Sequence, residues 1–314
     1  MPTLADIRAA HERIRPYLTL PTPLERAHWL AGESSLKLET VNPTHSFKIR
    51  GALNAMLRLK EDGRASGGVI AASSGNHAQA LSYAAKLTGI RTQILMPKHT
   101  PQKKVDGVRA HGGEAILFGD HYDAAEAEAI RRAAESGLTY VSPYNHPDVI
   151  AGAGTIGLEI AAQCPEVGRV LVPLSGGGLL GGIAAALADL TPDCEVIGVC
   201  AAHAPAGYNL TQGTDMPQIW ETLAEALSGE IEADSLTIAL IQRYVKQVVL
   251  VSEAAIAEAM RALVFNQGWI AEGGGAVTTA ALMSGAVQPD RRPLVAVVSG
   301  GNLDASTLRR VLIG

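Results

Sequence analysis

The sequence has few of the residues that build disulfide frameworks or metal sites. Three cysteines, Cys164, Cys194 and Cys200, occur in 314 residues. Their number is odd and none shows CxxC spacing, which argues against a disulfide framework and against a thiolate zinc site. The nine histidines show neither HxxxH nor HExxH spacing. We therefore expect no metal site.

Clusters of positive charge and export signals are also missing. The chain has 26 basic and 31 acidic residues, a net charge of −5, which argues against a nucleic-acid partner. The N-terminus is charged early and lacks an apolar core of signal-peptide length, so a cytoplasmic location is expected. The uncharged stretch from Val170 to Ala188 approaches membrane-spanning length, but Pro173 and several glycines interrupt it. A buried strand, loop and helix explain this stretch, and no membrane partner is expected.

The sequence is rich in short apolar strands that are followed by glycine-containing turns and alanine-rich helices. Hydrophobic residues make up 47% of the chain, enough for a substantial core. The alternation predicts an α/β fold with mostly parallel sheets, arranged as two three-layer lobes that face each other across a cleft. Residues 203–235 have the weakest pattern and are predicted to form a longer connection. Ligands of such sheets bind at the carboxyl ends of the strands.

Three loops follow strongly apolar strands: SSGNH (73–77), LSGGGLLGG (174–182) and SGGN (299–302). The middle loop matches GxGxxG through Gly176, Gly178 and Gly181, in the strand-to-helix context of a dinucleotide site. Such a site also needs an acid at the end of the next strand, and EVIGVC ends in Cys200 instead. A loop that binds phosphate at a helix N-terminus remains, with tight strand-to-helix packing as the alternative.

The other two loops are ambiguous alone. SSGNH resembles half of a nucleophile elbow around Ser73, but no later histidine has a context that suggests a serine hydrolase. It would also suit a grip for a carboxylate, or simple helix capping. SGGN supplies a neutral hydroxyl at a third strand end.

Lys48 lies upstream in the apolar segment SFKIRG; alone it would be a solvated lysine at a helix start. Together these features suit pyridoxal phosphate joined to an amino acid.

Four segments in this order, NPTHSFKIRGA, SSGNHAQA, SGGGLLGG and SGGN, resemble the fold-type II pyridoxal-phosphate enzymes. Within them the match is to the serine/threonine dehydratase and serine racemase branch, and it extends from about Pro21 to the C-terminus. The resemblance implies a tryptophan synthase β-like fold. It further implies a large cofactor-binding domain, residues 1–52 and 147–314, and a small domain, residues 53–146.

The resemblance also implies roles for individual residues. Lys48 matches the lysine that forms the Schiff base with pyridoxal 5'-phosphate, and Ser74 matches the second proton-transfer group of the racemases. The other cofactor ligands are Phe47 beside the ring, Asn76 at the phenolic oxygen, Gly176, Gly177, Gly178 and Leu179 around the phosphate, and Ser299 opposite the pyridine nitrogen. The segment of Ser73, Ser74, Gly75 and His77 matches the surroundings of the substrate carboxylate.

The reaction implied is β-elimination from a β-hydroxy-α-amino acid such as L-threonine or L-serine, which gives a 2-oxo acid and ammonia. Two alternatives stay open: an amino-acid racemase, and a catalytically silent protein that binds the cofactor or an amino acid. Relatives of this branch are usually dimers, so a homodimer is expected, with a small amino acid as substrate.

Some positions depart from the pattern of the branch. Ser175 replaces the first of four glycines in the phosphate loop. Where relatives with a divalent-cation site carry carboxylates, this chain has Cys200 and Ala201, so no magnesium or calcium is expected there. The segment WIAEGGGAV (269–277) keeps the glutamate of the branch, as Glu272, but otherwise differs from the branch pattern. The chain stops soon after SGGN, so no C-terminal regulatory domain is expected. The change in segment 269–277, together with the unusual region 203–235, leaves the identity of the substrate open.

Overall fold

A computed structural model describes residues 1–313, in which strands and helices alternate through most of the chain. The strands are β1 (Leu24–Arg26), β2 (Ser34–Leu38), β3 (Val69–Ala72), β4 (Thr92–Met96), β5 (Glu114–Leu117), β6 (Thr139–Tyr140), β7 (Arg169–Pro173), β8 (Glu195–Ala201), β9 (Gln247–Val251) and β10 (Leu294–Val298). The helices are α1 (Leu4–Ile14), α2 (Lys48–Glu61), α3 (Asn76–Thr88), α4 (Gln102–Ala110), α5 (Tyr122–Ser136), α6 (Pro147–Gln163), α7 (Gly178–Leu190), α8 (Ala206–Gln212), α9 (Leu236–Tyr244), α10 (Glu253–Ala262), α11 (Gly273–Met283) and α12 (Ala305–Ile313).

The strands form two sheets. The larger sheet has the order β1-β2-β10-β7-β8-β9 and the smaller one the order β5-β4-β3-β6. All neighbouring strands are parallel except the pair β1 and β2. The prediction of an α/β fold with mostly parallel sheets is therefore confirmed. All strands of the smaller sheet lie within residues 53–146; the exact domain boundaries stay a prediction.

Strand β10, in the middle of the larger sheet, is apolar at every position because helices cover both faces of that sheet. All five residues of β10 are buried. Parallel neighbours end at the same edge of a sheet, so the loops after β7 and β10 meet at one side of the larger lobe. This edge carries the glycine loop and the SGGN segment.

Helix α2 lies between the two lobes and packs against α3 on one side and α6 on the other. A buried ionic network fixes its first turn. Arg50 bonds to Glu39 at 2.8 Å and to Glu159 at 2.6 Å, and Lys37 bonds to Glu159 at 2.6 Å. Arg50 and Glu39 are wholly inaccessible to solvent. Two cations and two carboxylates balance each other, so burial is tolerated.

Several elements were not predicted from the sequence. These are α1, the short antiparallel pair β1 and β2, strand β9, and the helices of the last third of the chain. The segment 203–235 was expected to be a longer connection; it holds α8 and a single 3₁₀ turn, Glu225–Leu227, and is otherwise irregular. Within residues 1–313, no helix has the length and apolar character that crossing a membrane requires.

Candidate active site

Lys48 is the first residue of α2, and the segment before it is tied to the loop after β10. The backbone N–H of Phe47 donates to the carbonyl of Ser299 at 2.9 Å, and the N–H of Gly301 donates to the carbonyl of His45 at 2.9 Å. The chain thus enters α2 along the SGGN segment. This arrangement brings the predicted lysine and the predicted Ser299 to the same edge of the larger sheet.

The Lys48 amine is held in a partly buried position. Its Nζ donates to the carbonyl oxygen of Pro143 at 2.8 Å and lies 5.0 Å from the centre of the Phe47 ring. Burial lowers the pKa of Lys48 to about 8, although the Glu272 carboxyl partly opposes the shift. A lysine with this pKa has an appreciable neutral fraction near neutrality. Neutral amines are nucleophiles toward aldehydes and can accept protons.

The glycine loop joins β7 to the N-terminus of α7. Gly177 is the N-cap of α7, has a φ of +85° and supplies no side chain to cap the helix. The N–H groups of the first turn are therefore left for another acceptor, at the positive end of the helix dipole. Such a terminus is suited to a phosphate.

Neighbouring residues explain why this loop consists of glycines. A β-carbon at Gly176 would collide with the ring of Tyr144, and one at Gly177 would lie 2.9 Å from Thr237 Cβ. Thr237 also donates to the Gly176 carbonyl at 2.7 Å. The residues around Tyr144 and Thr237 therefore close on the loop from two sides. Neither contact was predicted, because both partners lie far from the loop in sequence.

The SSGNH loop leads from β3 into α3. The N–H of Gly75 bonds to the Ser73 hydroxyl at 3.2 Å, and Gly75, the N-cap of α3, offers no side-chain cap. Ser73, Ser74 and Gly75 are partly exposed. A second uncapped helix N-terminus thus lies beside accessible hydroxyls, which suits the predicted carboxylate grip.

His77 is buried rather than presented to the cleft. Its Nε2 lies 3.1 Å from the Val141 carbonyl oxygen, so this nitrogen carries the proton. Burial, with a smaller contribution from Lys48, lowers the pKa of His77 to about 3. The ring is therefore neutral and its N–H is already used. Any contact of His77 with a substrate carboxylate would come from its backbone.

Asn76 bonds to two residues that the sequence did not connect to it. Its Nδ2 donates to Glu272 Oε1 at 2.6 Å, and its Oδ1 accepts from Asn302 Nδ2 at 2.8 Å. Burial raises the pKa of Glu272 to about 7, while the Asn76 bond and nearby Lys104 oppose the shift. The sequence pattern alone assigns no role to Glu272, which stands in a segment that otherwise differs from the branch.

The residues present fit pyridoxal phosphate. Lys48 offers an amine of lowered pKa, and the uncapped terminus of α7 offers a phosphate cradle from Gly176 to Leu179. Ser299 follows β10 and is 6% exposed, and it supplies a neutral hydroxyl at the end of that strand. No group of three or more His, Cys, Asp or Glu side chains in the described part of the chain could hold a metal ion.

Comparisons with known proteins agree with this fit. A family model described as "Pyridoxal-phosphate dependent enzyme" matches residues 17–300. A putative threonine dehydratase of Sinorhizobium fredii is 41% identical over 99% of this chain and 96% of that protein. An L-threonine ammonia-lyase of Thermotoga maritima is 38% identical over 99% of this chain and 78% of that protein. The solved structure of maize serine racemase is 31% identical and covers 98% of this chain and 96% of its own, with a TM-score of 0.90.

Proposed function

The chain belongs to the pyridoxal-phosphate dependent enzymes, in their serine/threonine dehydratase and serine racemase branch, and we propose that it dehydrates and deaminates L-threonine. Its cofactor is pyridoxal phosphate and it is an ammonia-lyase acting on a β-hydroxy-α-amino acid. The observation that carries the choice of threonine is the full-length similarity to a putative threonine dehydratase, at 41% identity. L-serine is the proposed second substrate.

Lys48 is proposed as the residue that holds the cofactor and moves the substrate proton. Bound pyridoxal phosphate supplies an aldehyde for the amino group and a conjugated ring that withdraws electrons from the α-carbon. Because burial lowers the pKa of the Lys48 amine to about 8, its Nζ can be neutral, and so act as a base, whenever it is free. The amine would take the α-proton of the substrate and pass a proton to the β-hydroxyl, which would leave as water.

The remaining residues are proposed to bind and orient. Gly176, Gly177, Gly178 and Leu179 would hold the phosphate through backbone N–H groups, and Phe47 would pack beside the ring. Ser299 would face the pyridine nitrogen with a neutral hydroxyl, which leaves that nitrogen unprotonated and makes the ring a weaker electron sink. A weaker electron sink would favour rapid loss of the β-hydroxyl over slower reactions such as transamination. Asn76 would donate to the ring oxygen.

Substrate orientation is proposed to come from the SSGNH loop. The uncapped N-terminus of α3 and the hydroxyls of Ser73 and Ser74 would hold the α-carboxylate. The enamine that leaves the site hydrolyses in water to a 2-oxo acid and ammonia.

The proposal is tested by measuring release of 2-oxo acid and ammonia from a panel of amino acids. The panel contains serine, threonine, 3-hydroxyaspartate and phenylserine in all available stereoisomers. We expect L-threonine to give the highest kcat/KM. A higher kcat/KM for 3-hydroxyaspartate or phenylserine would replace the proposed substrate. An absorbance spectrum of the bound cofactor that no amino acid changes would instead support a silent binding protein.

Racemisation is the second candidate, and the similarity to maize serine racemase over 98% of this chain favours it. Ser74 would then donate or remove the proton on the face opposite Lys48. Chiral chromatography of recovered serine separates the two activities. D-serine that forms from L-serine faster than pyruvate would reverse the order of the proposals.

We further propose that the protein acts as a homodimer in the cytoplasm. Both are expectations from the sequence, and the dimer rests on the resemblance to this branch. Light scattering after size-exclusion chromatography measures the assembly directly; a monomeric mass for the active enzyme would contradict it.

A further inference from the structure

We propose that Glu272 is a positioning residue that fixes the side-chain amide of Asn76, so that the remaining N–H of this amide is aimed at the cofactor. The inference rests on the proposed function, because it takes Asn76 as a ligand of the cofactor ring. It deepens that function by adding a residue from a different part of the chain. Asn76 and Glu272 are separated by 196 positions.

The bonds of Asn302 determine the orientation of the Asn76 amide. Asn302 Nδ2 donates to the Thr44 carbonyl at 2.8 Å. A backbone carbonyl only accepts, so this end of the Asn302 amide must be its NH₂ group. The same NH₂ group also lies 2.8 Å from one end of the Asn76 amide. Because this end receives a donated hydrogen bond, it must be the oxygen, Asn76 Oδ1. The amide of Asn76 consequently turns its own NH₂ group toward Glu272.

Glu272 completes this chain of hydrogen bonds. Its Oε1 accepts one N–H of Asn76 Nδ2 at 2.6 Å, which leaves one N–H of that group for another acceptor. With both ends of the Asn76 amide bonded to protein, rotation about its last torsion breaks two hydrogen bonds. The free N–H thus keeps one direction, which is the requirement for a ligand that must be in place before the cofactor binds.

The backbone of Glu272 is itself held in place. The backbone N–H of Glu272 donates to the Gly300 carbonyl at 3.1 Å, and the N–H of Gly275 donates to the Glu272 carbonyl at 2.9 Å. A β-carbon at Gly300 would lie 2.5 Å from Glu272 Oε1, so the carboxyl lies directly across this glycine. Glu272 is 9% exposed. The carboxyl therefore links the SSGNH loop, the SGGN loop and the start of α11.

The charged groups around Glu272 do not alter this role. Lys48 and Lys104 favour its ionised form and Glu225 its neutral form, and Lys104 and Glu225 lie 3.5 Å apart. Neutral or ionised, the carboxyl keeps an oxygen that accepts the Asn76 bond. We therefore expect glutamine at position 272 to keep the positioning role, because its side-chain carbonyl oxygen can also accept the hydrogen bond from Asn76.

A double-mutant cycle on cofactor binding tests the inference. The dissociation constant of pyridoxal phosphate is measured by absorbance titration of the apo-protein, for the wild type, Glu272→Gln, Glu272→Ala, Asn76→Ala and the double alanine variant. We expect Glu272→Ala and Asn76→Ala each to weaken binding about tenfold, the value of one good hydrogen bond. The double variant should bind no more weakly than Asn76→Ala, and Glu272→Gln should stay within about threefold of wild type.

Two outcomes would overturn the inference: multiplicative losses in the double variant, or a loss in Glu272→Gln as large as in Glu272→Ala. Glu272→Asp is the second variant if the alanine variant does not fold; it keeps the acid but is one methylene short, so it should resemble Glu272→Ala. Exposed Glu230→Ala is the control and should bind like wild type. Failure of the wild type to bind the cofactor at all would refute the proposed function instead.

Discussion

Lys48 Nζ lies 2.8 Å from the carbonyl oxygen of Pro143, a residue 95 positions later in the chain. The same stretch of chain carries Tyr144, whose ring lies against Gly176 of the glycine loop. The residues just before α6 thus contact both the proposed reactive amine and the proposed phosphate-binding loop. The bond to Pro143 gives the amine a defined direction.

Replacing Lys48 by alanine should abolish turnover and the absorbance of covalently linked cofactor. The reason is that, within residues 1–313, no other lysine amine hydrogen-bonds to a residue of the site. We expect kcat to fall by roughly 10³-fold or more, since the variant loses both its nucleophile and its base. Exposed Lys86 in α3 provides the control: Lys86→Ala should keep both properties. Substantial elimination by Lys48→Ala would refute the assigned role.

Capture of the cofactor by the apo-protein should depend on pH through the Lys48 amine. Only the neutral amine attacks an aldehyde, and the pKa of Lys48 is lowered from 10.5 to about 8. The capture rate, followed by stopped-flow absorbance, should rise with pH and level off above about 8.

Glu272→Gln provides a directional check on this profile. The Glu272 carboxylate raises the pKa of Lys48, so its removal should move the midpoint to lower pH. A wild-type midpoint near that of an ordinary lysine would contradict the burial of Lys48. A midpoint that rises in Glu272→Gln would contradict the electrostatic contact.

Gly177→Ala should weaken cofactor binding as well as stability. Gly177 has a φ of +85°, and an added β-carbon would lie 2.9 Å from Thr237 Cβ. Gly137 has a φ of +70° with no heavy atom within 4 Å of such a carbon, so Gly137→Ala isolates the backbone strain, about 1 to 2 kcal/mol. Chemical denaturation and cofactor titration of both variants separate the two effects. Equal cofactor affinity in the two variants would contradict a phosphate cradle at Gly177.

Arg50→Ala should destabilise the fold by about 3 to 5 kcal/mol, because it leaves buried Glu39 and Glu159 without their cation. Arg58 lies in the same helix and its side chain is 45% exposed, so Arg58→Ala should change stability by less than about 1 kcal/mol. Urea denaturation at neutral pH measures both. Similar losses in the two variants would show that the network is not buried in solution.

The same network should make the protein sensitive to acid. Although burial opposes ionisation of Glu159, Arg50 and Lys37 outweigh it and hold the pKa below the ordinary 4.5. A carboxyl with a depressed folded pKa stabilises the fold fully above its unfolded value and loses this contribution as the pH falls through its folded value. The difference in stability between wild type and Arg50→Ala should therefore shrink below pH 4.5. A stability difference between wild type and Arg50→Ala that stays constant as the pH is lowered, until the protein unfolds, would contradict this prediction.

The local elements were largely predictable, because strands and helices carry their own periodicity and stop signals. Helix α3 ends at Gly89, which has a φ of +73°, and the glycine after the pattern of α5 acts in the same way at Gly137. The segments missed had weak local signals. Helix α11 begins Gly273-Gly274-Gly275, a sequence that disfavours helices, and it forms because those glycines pack tightly; a β-carbon at Gly275 would collide with Gly300.

The order of four short segments determined the family, the cofactor and the class of reaction, and those predictions are confirmed. Residue identity also decided which amine, hydroxyls and glycines were candidates for the site. Only the tertiary structure decided their partners: Glu272 for Asn76, Pro143 for Lys48 and Thr237 for the glycine loop. Periodicity and capping act over a few residues, whereas these bonds join positions 61 to 196 residues apart. Which distant groups meet depends on how two sheets and the helices between them pack, and no local pattern records that packing.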